Sequence, residues 1–220
     1  MLTIKNNSLK KKILVNKKIN MGELSSIVSS DLQDGLNLNG HSCINNCFVG
    51  RYFNLGLFSY VANSVIGNYC TFGNRVSIGS FNHPIDWLSI HEFQYRDTTD
   101  IYGDSLYFNG QNILKNSLRD TLLGSDVWVA DNAVVVRGVS VGHGAIVGAG
   151  SFVNRDIPPY AIVSGNPCQI VKYRFDQRVI DILIHSKWWE LSMGELSGVD
   201  FSNIDLAINQ LMKKFPERFD

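Results

Sequence analysis

The stretch Leu123–Val153, LGSDVWVADNAVVVRGVSVGHGAIVGAGSFV, carries an aliphatic side chain at every sixth position: Leu123, Val129, Val135, Val141, Val147 and Val153. A small or compact residue stands two places before each from the second onward: Val127, Ala133, Val139, Ala145 and Ser151. Gly or Ala follows four of them, at Gly124, Ala130, Gly142 and Gly148. A period of six fits neither a 3.6-residue helix nor a free alternating strand. It is the mark of a repeat solenoid. Six residues make one flat face, and three faces close a triangular coil. The aliphatic points into the prism and stacks on its counterpart one coil along. The residue two earlier points inward as well, because side chains alternate along a strand, but into a narrower corner. The following Gly is expected to ease the bend between faces. Each buried Val or Leu contributes about 1.5–3 kcal/mol, summed over coils that touch only their neighbours.

Working outward, the same spacing runs through Val49, Leu55 and Val61, slips by one residue, and continues at Ile66, Phe72 and Ile78. Phe72 is large for its slot and predicts a locally widened coil. Leu32, Leu38 and Ile44 keep the spacing, so residues 1–35 read as degenerate coils or a cap, with short apolar alternations at Leu2/Ile4 and Ile13/Val15. The repeat stops between Ser80 and Thr121. A gap of that length in a strict repeat is usually functional. Its aromatics (Phe81, Trp87, Phe93, Tyr95, Tyr102, Tyr107, Phe108) argue against disorder.

The solenoid is expected over 36–171, with the insert at 80–121, and a helical segment over 172–220. Pro158 and Pro159 oppose regular strand pairing, and a last coil fits around Ile162–Val163. Asp176 suits a helix N-cap, with Phe175 stapled to Ile180. A second helix is expected from about Ser202, with Ile204, Ala207, Ile208, Leu211 and Met212 on one face, ending before Pro216.

Formal net charge is zero, which leaves no electrostatic footprint for nucleic acid. No apolar run reaches the length of a membrane span. The lysine-rich start (Lys10, Lys11, Lys12, Lys17, Lys18) lacks the apolar core of a secretory signal, so the expected location is the cytoplasm. Cys43 and Cys47 could supply half a zinc site, but no second pair follows. Cys47 and Cys70 occupy the small slot of the coil and read as buried filler. Cys168 receives no role.

The segments IGNYCTFGNRVSIGSFNHPIDWLSIHEF, LLGSDVWVADNAVVVRGVSVGHGAIVGAGSFVNRDIPPYAIVSGNPCQIVKYRF and WWEL together resemble the hexapeptide-repeat xenobiotic acetyltransferases. That family comprises the type B chloramphenicol and streptogramin acetyltransferases and their saccharide O-acetyltransferase relatives. The resemblance covers roughly Val65 to Leu191. It implies a mainly β fold, a left-handed parallel β-helix with a long inserted loop and C-terminal α-helices. It also implies a homotrimer, acetyl-CoA in the groove between subunits without a metal, and a histidine general base matching His83. The amino-terminal forty residues and the long loop depart from the family pattern.

Acetyl transfer from a thioester to a hydroxyl needs a base, an oxyanion donor and positioning. An imidazole titrating near neutral pH suits the first. His83 sits where the repeat breaks, in NHPIDW. Asp86 orients the imidazole or the loop, or else caps a turn. His91 is a rival base or an acceptor contact. His41, His143 and His185 carry no role, His143 being expected to face solvent. Trp87 reads either as a platform for an acceptor sugar or as filling for the loop. The resemblance points to Ala130, Gly148, Ala149 and Gly150 as the edge along which a pantetheine arm runs. Trp128 would wall that groove or pack between subunits. Lys172 and Arg174 would hold the phosphates of CoA or stay solvated.

The leading expectation is therefore an acetyl-CoA-dependent transferase acting on a hydroxyl or amine of a saccharide-containing acceptor. The alternatives are a chloramphenicol or streptogramin acetyltransferase, a zinc carbonic anhydrase and a non-catalytic solenoid.

Overall fold

The computed structural model describes residues 3–5, 18–95, 97–103 and 120–219. The expectations at Leu2, Ile13 and Val15, the lysines Lys10, Lys11, Lys12 and Lys17, and Tyr107 and Phe108 lie outside them.

The chain winds into a parallel β-solenoid with three faces, each one strand per coil. Inward residues stack in three columns. On the first face Leu38, Leu55, Phe72, Val129, Val147 and Val163 pair in register. On the second, Ile27, Ile44, Val61, Ile78, Val135 and Val153 do so. On the third, Leu32, Val49, Ile66, Leu123 and Val141 do so, and Ile157 bridges to Val141. All are buried and form one continuous core. The slot two residues earlier takes Cys47, Cys70, Val127, Ala133 and Ala145. It also takes Phe53, which meets Phe72 edge-on with ring centroids 5.0 Å apart. The bulk of Phe72 is thus answered by a second ring within the core.

The one-residue slip recurs in every coil before the insert. Asn37, Asn54 and Thr71 pair in register at steps of seventeen, whereas Trp128 pairs with Ile146 at a step of eighteen. In the shorter coils a single residue turns the corner from the second face to the third: Ser29, Asn46 or Asn63, each at positive φ. Asn adopts that conformation more readily than most residues, since its short polar side chain bonds locally. Asn46 Nδ2 donates to Asn63 Oδ1 and Asn63 Nδ2 to the Gly79 carbonyl, both at 3.0 Å. The next coil leaves the wall at that same corner. The second-face strand ends at Ile78, and the third face resumes at Thr121–Leu123, hydrogen-bonded to Ser64–Ile66. The insert therefore spans 79–120.

Apart from Gly79, which follows Ile78 at φ +65°, the glycines that follow the aliphatics do not make the bends. Gly50, Gly56, Gly67, Gly73, Gly124, Gly142 and Gly148 lack positive φ; the corners are turned by residues such as Tyr52, Phe58, Tyr69, Arg75, Asp126 and Asn132, which have it. A Cβ on Gly56 would lie 2.3 Å from the Gly73 carbonyl oxygen, and one on Gly142 2.4 Å from Pro159 N. These glycines let successive coils touch backbone to backbone.

The solenoid begins at Ile19, inside the span read as degenerate coils or a cap, because Ile19–Met21, Ser26–Val28 and Asp31–Leu32 already pair with the next coil. Thr3–Lys5 runs antiparallel to Ser26–Val28. At the other end Cys168–Tyr173 is still strand, folding back antiparallel on Ala161–Gly165. Helix Gln177–Ser186 follows, its Asp176 N-cap accepting from Val179 N at 2.9 Å. Helix Ile204–Lys214 is capped by Asn203. Between them Trp188 and Trp189 dock the tail onto the corner joining the third and first faces. Arg51 donates to Glu190 O, Asn68 to Trp189 O and Tyr69 to Leu191 O. Among the described residues no helix is long and apolar enough to cross a membrane.

Candidate active site

His83 lies five residues beyond the last residue of the second-face strand, on the segment that leaves the wall. Pro84 beside it is buried, while His83 is exposed. Its Nδ1 lies 2.8 Å from the Ile90 carbonyl and 3.0 Å from the Tyr95 hydroxyl. A carbonyl only accepts, so Nδ1 carries the proton and donates to it. The neutral ring then holds its free lone pair on Nε2, the nitrogen facing away from that anchor. This is how a histidine base is oriented: one nitrogen fixed, the other presented.

Asp86 does not orient the imidazole. It is exposed and makes no hydrogen bond to His83, whose Nδ1 is taken by Ile90 and Tyr95. His91 is committed to a local turn, its Nδ1 accepting from Phe93 N at 3.2 Å as the cap of the turn Glu92–Gln94. Trp87 is half-buried and meets Tyr95 edge-on at 6.2 Å. The loop around His83 exposes a run of large apolar side chains: Phe81, Ile85, Leu88, Ile90, Ile101 and Tyr102.

The other predicted residues gather elsewhere. Ala130, Gly148, Ala149 and Gly150 share the corner between the first and second faces, tied by Ala130 N to Val147 O and Gly150 N to Asp131 O. Around Gly150, at φ +66°, a Cβ would meet nothing within 4 Å, so this edge is open to an approaching chain. At Gly148 the space is already taken by Val163 O and Ser164 Oγ, both 3.1 Å from a Cβ position. Trp128 stands half-exposed on the first face beside this edge, between Thr71 and Ile146. Lys172 is exposed on the strand paired with Ile162.

Arg174 is tied into the fold through Nη1. Its Nη1 donates to Asp126 Oδ2 and to the Gly144 carbonyl, each at 2.8 Å, and its guanidinium stacks on the rings of Tyr160 and Phe175. His143 is not solvent-facing. Trp189 lies on it, ring centroids 4.2 Å apart and 11° from parallel, and Ser125 N donates to its Nδ1 at 2.8 Å. Burial, helped by Lys187, holds its pKa below the ordinary value. The Ile90 carbonyl and Tyr95 were missed by sequence reading. A carbonyl leaves no trace in a sequence, and Tyr95 stood only as one loop aromatic among several.

His83 departs from the corner between the second and third faces, and the open glycine edge lies at the corner between the first and second. Six extended residues at about 3.3 Å each put such corners up to about 20 Å apart. Among the described residues no hydrogen bond or ring contact joins the two groups.

The chain matches the family model described as Bacterial transferase hexapeptide (six repeats) over residues 120–155. Over 135 residues it is 33% identical to a chloramphenicol acetyltransferase of Klebsiella aerogenes, a match covering 60% of this chain. The chain spans 61% of that relative's length. It is 29% identical over 167 residues to a probable macrolide acetyltransferase of Lysinibacillus sphaericus, covering 70% of this chain and 84% of the relative. Among solved structures, AntD, an N-acyltransferase from Bacillus cereus in complex with dTDP and coenzyme A, superimposes with a TM-score of 0.55 at 13% identity, covering 86% of this chain and 97% of that one. A GDP-perosamine N-acetyl transferase from Caulobacter crescentus, in complex with CoA and GDP-perosamine, gives 0.51 at 18% identity, covering 77% and 67%. At such identities the solved structures show a shared fold alone.

Proposed function

We propose that the chain is a hexapeptide-repeat acetyltransferase of the xenobiotic type, transferring an acetyl group from acetyl-CoA to a hydroxyl or amine of a saccharide-containing acceptor. The observation that carries the reading is the anchored imidazole of His83. Nδ1–H is tied to the Ile90 carbonyl, which leaves Nε2 as the free base on an exposed, aromatic-rich loop.

His83 Nε2 takes the acceptor proton as the acceptor oxygen or nitrogen attacks the thioester carbonyl. It later returns that proton to the departing CoA sulfur, so no acyl-enzyme forms. Acetyl-CoA brings the thioester as a cosubstrate, and the reading requires no metal. Its pantetheine arm runs along the open edge at Ala130, Ala149 and Gly150, with Trp128 beside it and Lys172 as a phosphate partner. The separation of that edge from His83 is what a site shared between copies requires. One subunit supplies the imidazole and its neighbour the cofactor edge, as in a homotrimer. The exposed apolar loop side chains favour the same arrangement, since a second copy would cover them.

The similarity to chloramphenicol and macrolide acetyltransferases favours a second reading, in which the same chemistry acts on a xenobiotic hydroxyl. An acetyl-CoA consumption assay against sugars, sugar nucleotides, chloramphenicol, streptogramins and macrolides separates the two. Turnover confined to the antibiotics sinks the saccharide reading. The base itself is tested by His83→Ala, which should reduce kcat by about 10²–10⁴-fold with CoA affinity unchanged. A variant keeping most of its rate removes His83 from the mechanism.

A further inference from the structure

A cavity of about 350 Å³ lies away from His83, where the C-terminal tail meets the solenoid. It is lined by Tyr69, Asp126, Trp188, Met193, Leu196 and Phe201. Three of those six are aromatic and their rings adjoin. Tyr69 and Trp188 have centroids 5.7 Å apart at 36°, and Trp188 and Phe201 5.9 Å apart at 62°. The rings thus form adjacent walls rather than a parallel stack. Tyr69 is fixed by its hydroxyl, which donates to Leu191 O at 2.7 Å, and by Tyr52, whose ring packs 4.7 Å away.

The solenoid supplies the one carboxylate. Tyr52, Tyr69 and Asp126 are successive residues of a single corner column, joined by Tyr69 N to Arg51 O and Asp126 N to Asn68 O. Asp126 therefore sits one coil beyond Tyr69 on the side away from Tyr52. Arg174 holds its Oδ2, and Oδ1 makes no hydrogen bond among the described residues. The Arg174 guanidinium itself points to the next coils, against Tyr160, Phe175 and the Gly144 carbonyl.

Ring faces carry negative potential, and rings arranged as walls with a carboxylate beside them select an organic cation over a neutral molecule of the same shape. We propose that this cavity is a binding site for a small tertiary or quaternary ammonium ion, held among the rings of Tyr69, Trp188 and Phe201 and by Asp126 Oδ1, the carboxylate oxygen that Arg174 leaves free. The site is independent of the acetyl-transfer reading, since none of its residues is used there. Met193 and Leu196 close it with apolar contact suited to N-methyl groups. Because the tail provides four of the six lining residues, the ligand also clamps the tail to the solenoid.

The test titrates the full chain with choline and with its neutral isostere 3,3-dimethylbutan-1-ol at constant ionic strength, read by tryptophan fluorescence and calorimetry. Choline is expected to saturate, bind about tenfold or more tightly than the alcohol, and raise the thermal midpoint. Phe201 is largely exposed, so Phe201→Leu should fold normally; it should weaken choline several-fold and leave the alcohol unchanged. Asp126→Asn should weaken choline likewise. Equal affinity for cation and alcohol, no saturable choline binding, or choline affinity unaltered in Phe201→Leu overturns the proposal.

Discussion

Replacing Gly56 by Ala separates two accounts of why glycine follows the stacked aliphatic. If the residue served to bend the chain at an ordinary negative φ, alanine would fit. It would then stabilise by about 0.4–1 kcal/mol through the unfolded state. The structure instead puts the new Cβ 2.3 Å from Gly73 O, 2.4 Å from Gly73 C and 2.7 Å from Asn74 N. All three are backbone atoms of the next coil, so no side chain can swing aside. Relief to 3.0 Å, a separation real Cβ atoms do reach, opens the coils by about 0.7 Å. The bond from Gly56 N to Phe72 O, now 2.9 Å, is directly stretched, as are the neighbouring bonds from Asn54 N to Cys70 O and from Leu57 N to Asn74 Oδ1. Weakening three such bonds at about 0.5–1.5 kcal/mol each predicts a loss of about 2–4 kcal/mol. For a chain of this size that lowers Tm by about 5–15 °C. Urea and thermal denaturation of Gly56→Ala measure it. Gly150→Ala serves as a control, because there the space is open and only the positive φ opposes a side chain. A Gly56→Ala protein as stable as its parent, or more so, refutes the close-approach argument.

Other consequences follow from the same contacts. His143 is held neutral by burial between Ser125 N and Trp189, so its folded pKa lies below its unfolded value of about 6.5. The unfolded chain binds the extra proton, and the stability this group contributes is complete above about pH 6.5 and is lost as pH falls toward the depressed folded value. Denaturation midpoints of the parent should decline through that window and those of His143→Gln should not; parallel curves would remove the linkage. Arg174→Met leaves the half-buried Asp126 carboxylate unpaired and should cost about 2–4 kcal/mol while leaving CoA affinity intact; a selective loss of CoA binding would return Arg174 to the cofactor site. Burial pushes the thiols of Cys47 and Cys70 up to about 12, and Cys168 is buried as well. A thiol reagent at neutral pH should therefore label only Cys43 rapidly in the folded protein, and fast labelling of Cys70 would contradict the packed core.

The period of six was enough to define the solenoid. One aliphatic per face fixes which residue points inward, and stacking then fixes its neighbour one coil along, so Val129 over Phe72 follows from spacing once the insert is allowed for. Cys47 and Cys70 could be placed in the core for the same reason. A period says where a glycine sits; it does not say whether torsion or contact demands it, and that was decided by the distance between coils. The departure of the chain after Ile78 was visible as a lapse in the repeat, and His83 as a histidine at that lapse. What holds His83 was not visible, because the Ile90 carbonyl and the Tyr95 hydroxyl come from a segment with no repeat to place it. Asp86 looked better placed by sequence proximity, yet among the described residues the hydrogen bonds to the ring come from Ile90 and Tyr95. The surroundings of His143 and Arg174 were not legible for one physical reason. A coil position determines only a residue's neighbours along the column, whereas the non-repeating tail brings Trp189 onto His143 and Arg174 onto Asp126, and its path is set by tertiary packing alone.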